Sequence, residues 1–148
     1  MNEIFFKSLE NGEGLYQIKK ATKGSAGFDL LAAIKNEISI DPGSTKLIPC
    51  GFSIQMPDGI EGQVRPRSGI ALKNSVTVLN SPGTIDSDYR GEIAVILINH
   101  GNEPFKIEKG SRIAQIVICP VVKAQLVEVD DLNITERGDG GFGSTGTK

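Results

Sequence analysis

Apolar residues recur at every second position in short runs, and each run is soon closed by Gly, Pro, Asp or Asn. The alternation is unbroken in Ile60, Gly62 and Val64 against Glu61, Gln63 and Arg65, and "ISI" at 38–40 and "FSIQM" at 52–56 repeat it. A period of two sends successive side chains to opposite faces of a strand, so these strands have one wet face. Pro42-Gly43, Pro57-Asp58-Gly59, Ser81-Pro82-Gly83 and Asn99 to Pro104 are turn vocabulary. They break the chain at intervals of about ten residues, the rhythm of a sandwich or barrel and not of βαβ units. An all-β fold is expected. Only "SGIALK", residues 68–73, reads as helical, with Ser68 as a cap ahead of good helix formers.

Two runs lack a wet face. "IAVILI" at 93–98 is apolar on both sides, which calls for burial inside a two-layer core or against another copy of the chain. "RIAQIVICPV" at 112–121 is apolar apart from Arg112 and Gln115. Burying the Gln115 amide without a partner would cost about 1–3 kcal/mol, so a partner for it is expected. Cys50 and Cys119 both sit in apolar surroundings without metal-ligand spacing, and read as buried thiols.

At 148 residues the chain suits one domain with a sizeable core. Sixteen basic against eighteen acidic residues give a net charge of -2, which argues against a footprint for DNA, RNA or an anionic membrane surface. No run approaches the roughly 20 apolar residues of a bilayer span, and no leader pattern opens the chain, so a soluble cytoplasmic protein is expected. The last twelve residues, "RGDGGFGSTGTK", hold five glycines and cannot pack a core. Residues 1–136 are therefore read as a β domain and 137–148 as a mobile arm that nevertheless carries Arg137 and Phe142.

Four stretches are too specialised for plain turns: "AGFDLLA" at 26–32, "RPRSGIALK" at 65–73, "LNSPGTIDSDYRGE" at 79–92 and the tail. Glycine lets backbone N–H groups approach an anion, while Arg and Ser supply charged and neutral donors, a combination suited to phosphate oxygens. Together with "RIAQ" at 112–115, and in this order, they resemble the five motifs of the homotrimeric dUTP pyrophosphatases, the dUTPases. The resemblance runs from Ala26 to Gly146. It implies a jelly-roll-like β-fold, a three-fold trimer whose active sites lie at subunit junctions, and an arm that closes over a neighbour's site. The implied reaction is Mg²⁺-assisted hydrolysis of dUTP to dUMP and pyrophosphate, which supplies dUMP for dTMP synthesis and keeps uracil out of DNA.

The resemblance also assigns roles. Asp86 of "TID" would activate the water that attacks the α-phosphorus, although Asp after Ser-Pro-Gly is more commonly a turn residue. Asp88, two positions on, would point the other way along a strand and reads as a turn or trimer contact. Asn80 and the backbone of Gly83, Thr84 and Ile85 would read the uracil edge; cytosine would leave buried groups unpaired. Tyr89 would lie against deoxyribose and refuse a 2'-hydroxyl, where an unrelated Tyr would cap the core. Arg67, Ser68, Gly69 and Gln115 would cradle the phosphates; without the motif, Arg67 reads as a surface ion pair. Arg65 falls outside the motif, which begins at Pro66.

From the tail, Arg137 would reach the γ-phosphate and Phe142 would stack on uracil, with Gly143, Ser144 and Thr145 around the phosphates. No His/Cys cluster or carboxylate set has metal spacing. Mg²⁺ would arrive on the nucleotide, with Asp29 touching at most its water shell. His100 lies in a turn and reads as solvated. Two alternatives stay open: a dCTP deaminase or bifunctional deaminase/dUTPase of related fold, for which Glu92 is the residue of concern, and a trimeric nucleotide-binding module without catalysis.

Overall fold

A computed structural model of the chain describes residues 3–16 and 22–141. In chain order the strands begin with β1 (Phe5–Ser8), followed after a 3-10 turn at Glu10–Gly12 by β2 (Gly27–Leu31), β3 (Ile38–Ile40) and β4 (Thr45–Pro49). Next come β5 (Phe52–Gln55), β6 (Ile60–Arg65), the helix α1 (Ser68–Asn74), β7 (Val76–Val78) and β8 (Gly83–Ile85). The described strands end with β9 (Ala94–Asn99), β10 (Phe105–Ile107) and β11 (Arg112–Pro120). The fold is all-β with one short helix, as the alternation requires.

All pairings among the described residues are antiparallel. One sheet runs β2-β11-β6-β8 and another β4-β9-β7, with the pairs β1-β5 and β10-β3 completing a jelly-roll-like enclosure of a single core. The inward residues of β6, Ile60, Gly62 and Val64, are buried while Glu61 and Gln63 are half-buried. Leu30, Ile40, Ile48, Ile93, Leu97, Ile107 and Ile113 are fully or almost fully buried. Truncating one of them to Ala would cost about 2–5 kcal/mol.

Asn99 is the buried polar residue of this core. Its Nδ2 donates to the carbonyls of Ile40 and Glu103, both at 2.8 Å, and its Oδ1 accepts from Gly101 N–H at 2.8 Å. The amide thereby anchors the 99–104 turn and leaves no buried atom unpaired.

The structure departs from expectation at three points. Ser68 is the first helical residue and not the cap; Arg67 takes the cap position in extended backbone and makes no side-chain capping bond. Its guanidinium is committed elsewhere, as shown below. Cys50 is buried, but Cys119 is only half-buried, because it lies on the outer face of β11 against the Arg65 guanidinium. The run 93–98 is dry on one face only within the protomer, which removes the two-layer-core alternative and leaves burial against another copy. Ile93, Val95 and Leu97 are buried, whereas Ala94, Ile96 and Ile98 are half-buried, with Leu47 of the paired strand β4 exposed beside them.

Candidate functional site

A cleft of about 590 Å³ opens beside β8, and Asn80, Gly83, Thr84, Ile85, Asp86 and Tyr89 all line it. The register that builds it sets Gly83 opposite Val64 and Ile85 opposite Gly62 on β6. Gly83 is a glycine for a steric reason: a Cβ there would stand 3.2 Å from Asn80 Nδ2 and 3.3 Å from Val64 Cβ. The bare backbone lets the strand pass under the Asn80 amide. The Ser81-Pro82 bond in the turn before it is cis. The opposite wall is apolar and comes from the β4-β9 sheet, through Leu47, Pro49, Ala94 and Ile96. Such a chamber, with a few polar groups at one side, suits a flat heterocycle.

Asp86 is exposed at the end of β8, and its carbonyl accepts from Tyr89 N–H at 3.1 Å. That turn brings the Tyr89 ring back over the cleft. The Tyr89 hydroxyl donates to the carbonyl of Glu92 at 3.0 Å, and the ring lies on Gly91, where a Cβ would come within 2.5 Å of Tyr89 Cζ.

A second group forms where β2, β11 and the start of α1 meet. Arg67 Nε stands 3.2 Å from Asp29 Oδ1, Arg112 Nε stands 3.5 Å from Asp29 Oδ2, and Arg67 also donates to the Arg112 carbonyl at 3.0 Å. Gln115 finds its partner here, donating from Nε2 to the Pro66 carbonyl at 3.0 Å. Gly27 makes room for it: a Cβ there would lie 2.9 Å from Gln115 Oε1. Ser68 and Gly69 are exposed, and a Cβ on Gly69 would meet nothing within 4 Å. Packing within the protomer therefore does not account for that glycine.

The two groups do not meet in one protomer. Ile85 is opposite Gly62, with Asp86 one step further from Arg67, and Arg67 lies five residues along from Gly62. Asp86 and Arg67 are thus six residues apart along the line of β6, roughly 20 Å at ~3.3 Å per residue. Arg137 joins neither group; its Nε donates to Gly140 O at 2.8 Å. Phe142, Gly143, Ser144 and Thr145 lie outside the described residues. Asp88 and His100 are exposed, and Arg65 pairs with Gln63. Among the described residues no three of His, Cys, Asp and Glu are grouped as a metal-ligand set, and both Asp29 oxygens already face arginines.

The family model for dUTPase matches residues 15–146. This chain belongs to the dUTPase family. A deoxyuridine 5'-triphosphate nucleotidohydrolase of Methylocella silvestris is 56% identical over 145 residues, spanning 97% of this chain and 91% of its own length. That of Rhizobium rhizogenes is 54% identical over 140 residues, or 93% of this chain and 90% of its own. Among solved structures, the dUTPase of Staphylococcus bacteriophage 80alpha with dUPNHPP matches with a TM-score of 0.87 at 26% identity, covering 99% of each chain. A phage phi11 dUTPase, whose structure details a structural Mg(II) ion, matches with a TM-score of 0.77 at 21% identity over 88% of this chain and 98% of its own.

The motif reading gave no binding or catalytic role to three residues of this dUTPase-family site. Arg112 opens the "RIAQ" motif but was assigned no role there, and it shares Asp29 with Arg67. Glu92 carried a signal only as a potential deaminase residue. Its Oε1 accepts from Gly51 N–H and from Asn11 Nδ2, both at 2.8 Å. Asn11, in "ENGEG", carried none.

Proposed function

We propose that this chain hydrolyses dUTP to dUMP and pyrophosphate, supplying dUMP for dTMP synthesis and keeping uracil out of DNA, and that it does so in the cytoplasm as a homotrimer. The observation that carries the reading is the cleft that Asn80, Gly83, Thr84, Ile85, Asp86 and Tyr89 line together. Uracil presents acceptor, donor, acceptor along one edge. The Asn80 amide and the β8 backbone offer the complementary set, and an amino group in place of the carbonyl would leave buried groups unpaired. Tyr89 lies against the sugar, and Asp86 takes the proton of the water that attacks the α-phosphorus, help worth about 10²- to 10⁴-fold.

Arg67, Ser68, Gly69 and Gln115 hold the phosphates as charge moves onto pyrophosphate. They do so from another copy of the chain, since within one protomer they stand apart from Asp86. Two further observations support assembly. The outer face of β9 is apolar and incompletely covered, and beyond Pro120 the chain leaves the sheets with Val122, Leu126, Leu132 and Ile134 at least 85% exposed. An apolar surface of this kind marks an interface. Residues 1–136 form the β body, and 137–148 the arm that lays Arg137, Phe142, Gly143 and Ser144 over a neighbour's nucleotide. Mg²⁺ would come with the substrate and supply neutralising charge to the triphosphate; Asp29, whose oxygens face Arg67 and Arg112, would touch at most its water shell. Anchoring of Glu92 by Asn11 and Gly51 weighs against a deaminating role for it.

Pyrophosphate release from dUTP, UTP, dTTP and dCTP, with and without Mg²⁺, tests the proposal. Release from dUTP alone, with Mg²⁺, is expected. Inertness toward dUTP, or ammonia from dCTP, would overturn it.

A further inference from the structure

Gly12 and Gly51 cross backbone against backbone, so closely that a Cβ on Gly12 would lie 2.6 Å from the Gly51 carbonyl carbon. Gly51 has φ +74, a conformation open to glycine, which turns its N–H toward Glu92. The crossing also brings in Asn11, whose Nδ2 donates to the same Glu92 oxygen at 2.8 Å and reaches the Ala33 carbonyl at 3.3 Å. Two segments far from the cleft in sequence thus grip one carboxylate oxygen. On its main chain the same residue accepts the Tyr89 hydroxyl at 3.0 Å, and Gly91 supports the ring from below.

We propose that Asn11 and Glu92 are positioning residues for Tyr89, and that this anchor sets how strictly the cleft refuses a ribonucleotide. The inference rests on the reading above that Tyr89 lies against the sugar. Refusal of a 2'-hydroxyl by contact works only as far as the ring resists being pushed aside. Tyr89 is 45% exposed and has no core to hold it, so resistance comes from the Glu92 carbonyl and the floor at Gly91. That carbonyl keeps its place because its own side chain is tied down by two donors, bonds to a charged acceptor being about twice as strong as neutral ones. Asn11 does not line the cleft, so it acts through Glu92.

The test is the ratio of kcat/KM for UTP to that for dUTP in the purified full-length protein. Asn11→Ala and Glu92→Leu are expected to raise the ratio on the order of tenfold, since small displacements of positioning groups are costly. Glu92→Gln keeps an oxygen acceptor for both donors and is expected to keep the wild-type ratio. Tyr89→Phe loses only the hydroxyl, cannot endanger the fold, and is expected to raise the ratio in the same sense. A wild-type ratio in Asn11→Ala, Glu92→Leu and Tyr89→Phe, while Tyr89→Ala raises it, would overturn the anchor and leave the sugar reading intact. Glu92→Gln as damaging as Glu92→Leu would overturn it too, by pointing to a proton-transfer role. An unchanged ratio in Tyr89→Ala would bring down the sugar reading, and the anchor with it.

Discussion

Arg67 and Asp29 meet at 3.2 Å, a motif residue at the start of the helix held by one from the middle of β2. The bond explains why Arg67 does not cap the helix, and why its guanidinium points along the sheet toward the Arg112 carbonyl. Both side chains are about one-third exposed, so the pair is worth little as a stabiliser; its value lies in aim.

Asp29→Asn should therefore leave the fold and thermal stability nearly unchanged but free Arg67 and Arg112 from their shared acceptor. The KM for dUTP should rise about tenfold, the scale of one charge-assisted hydrogen bond, with a smaller effect on kcat. Steady-state kinetics check this, and an unchanged KM would mean that Asp29 does not orient the cradle.

How far this was legible in the sequence depended on whether an interaction is local. Alternation in Ile60 to Arg65 gave β6 its faces because each residue's face follows from its neighbour's. The same rule failed to choose a partner for residues 93–98. Its dry face belongs to this core, and the other waits for apolar surface that Leu47 and Ile96 alone do not provide. Asn80, Gly83, Thr84, Ile85, Asp86 and Tyr89 were legible as a group because one stretch, 79–92, carries them, whereas the wall from Leu47, Pro49, Ala94 and Ile96 was not. The pairing of Asn11 with Glu92 was not legible either, since they are 81 residues apart and meet only through the crossing of Gly12 with Gly51. Ser68 was misplaced as a cap because Arg67's commitment to Asp29 could not be read from local propensity.

Ile98→Glu would place a charge on the outer face of β9. A desolvated, unpaired carboxylate is expensive, so the subunits should separate while each keeps its sheets. Light scattering should report monomers with native-like circular dichroism and little dUTP turnover. A stable, active trimer would show that this face is not an interface.

Removing residues from Arg137 onward touches none of the described strands. A folded oligomer with small residual activity is expected, because the arm's part is to exclude water and order the triphosphate. Full activity in the truncated protein would leave the arm without a role in turnover.

Cys50 supplies a pH signature. Burial first, and the Glu92 carboxylate second, push its thiol from an ordinary 9.0 up to about 12. The folded state favours the protonated thiol, so this contribution to stability is intact below about pH 9 and is lost as pH rises toward 12. Tyr16, raised above the usual phenol range mainly by burial, acts in the same sense. Tm should hold between about pH 7 and 9 and fall above that, less steeply in Cys50→Ala. A Tm that does not respond to alkali would contradict the burial of both groups.

Asp86 and Arg67 lie too far apart in one protomer to act on one triphosphate, so the decisive measurement is complementation. Asp86→Asn and Arg67→Ala, each inactive alone, are unfolded together, refolded as mixed oligomers and assayed for pyrophosphate release from dUTP with Mg²⁺. Sites drawn from different chains should recover about a quarter of wild-type activity by random assortment at equal amounts. Mixed oligomers no more active than either variant alone would contradict a site shared between copies.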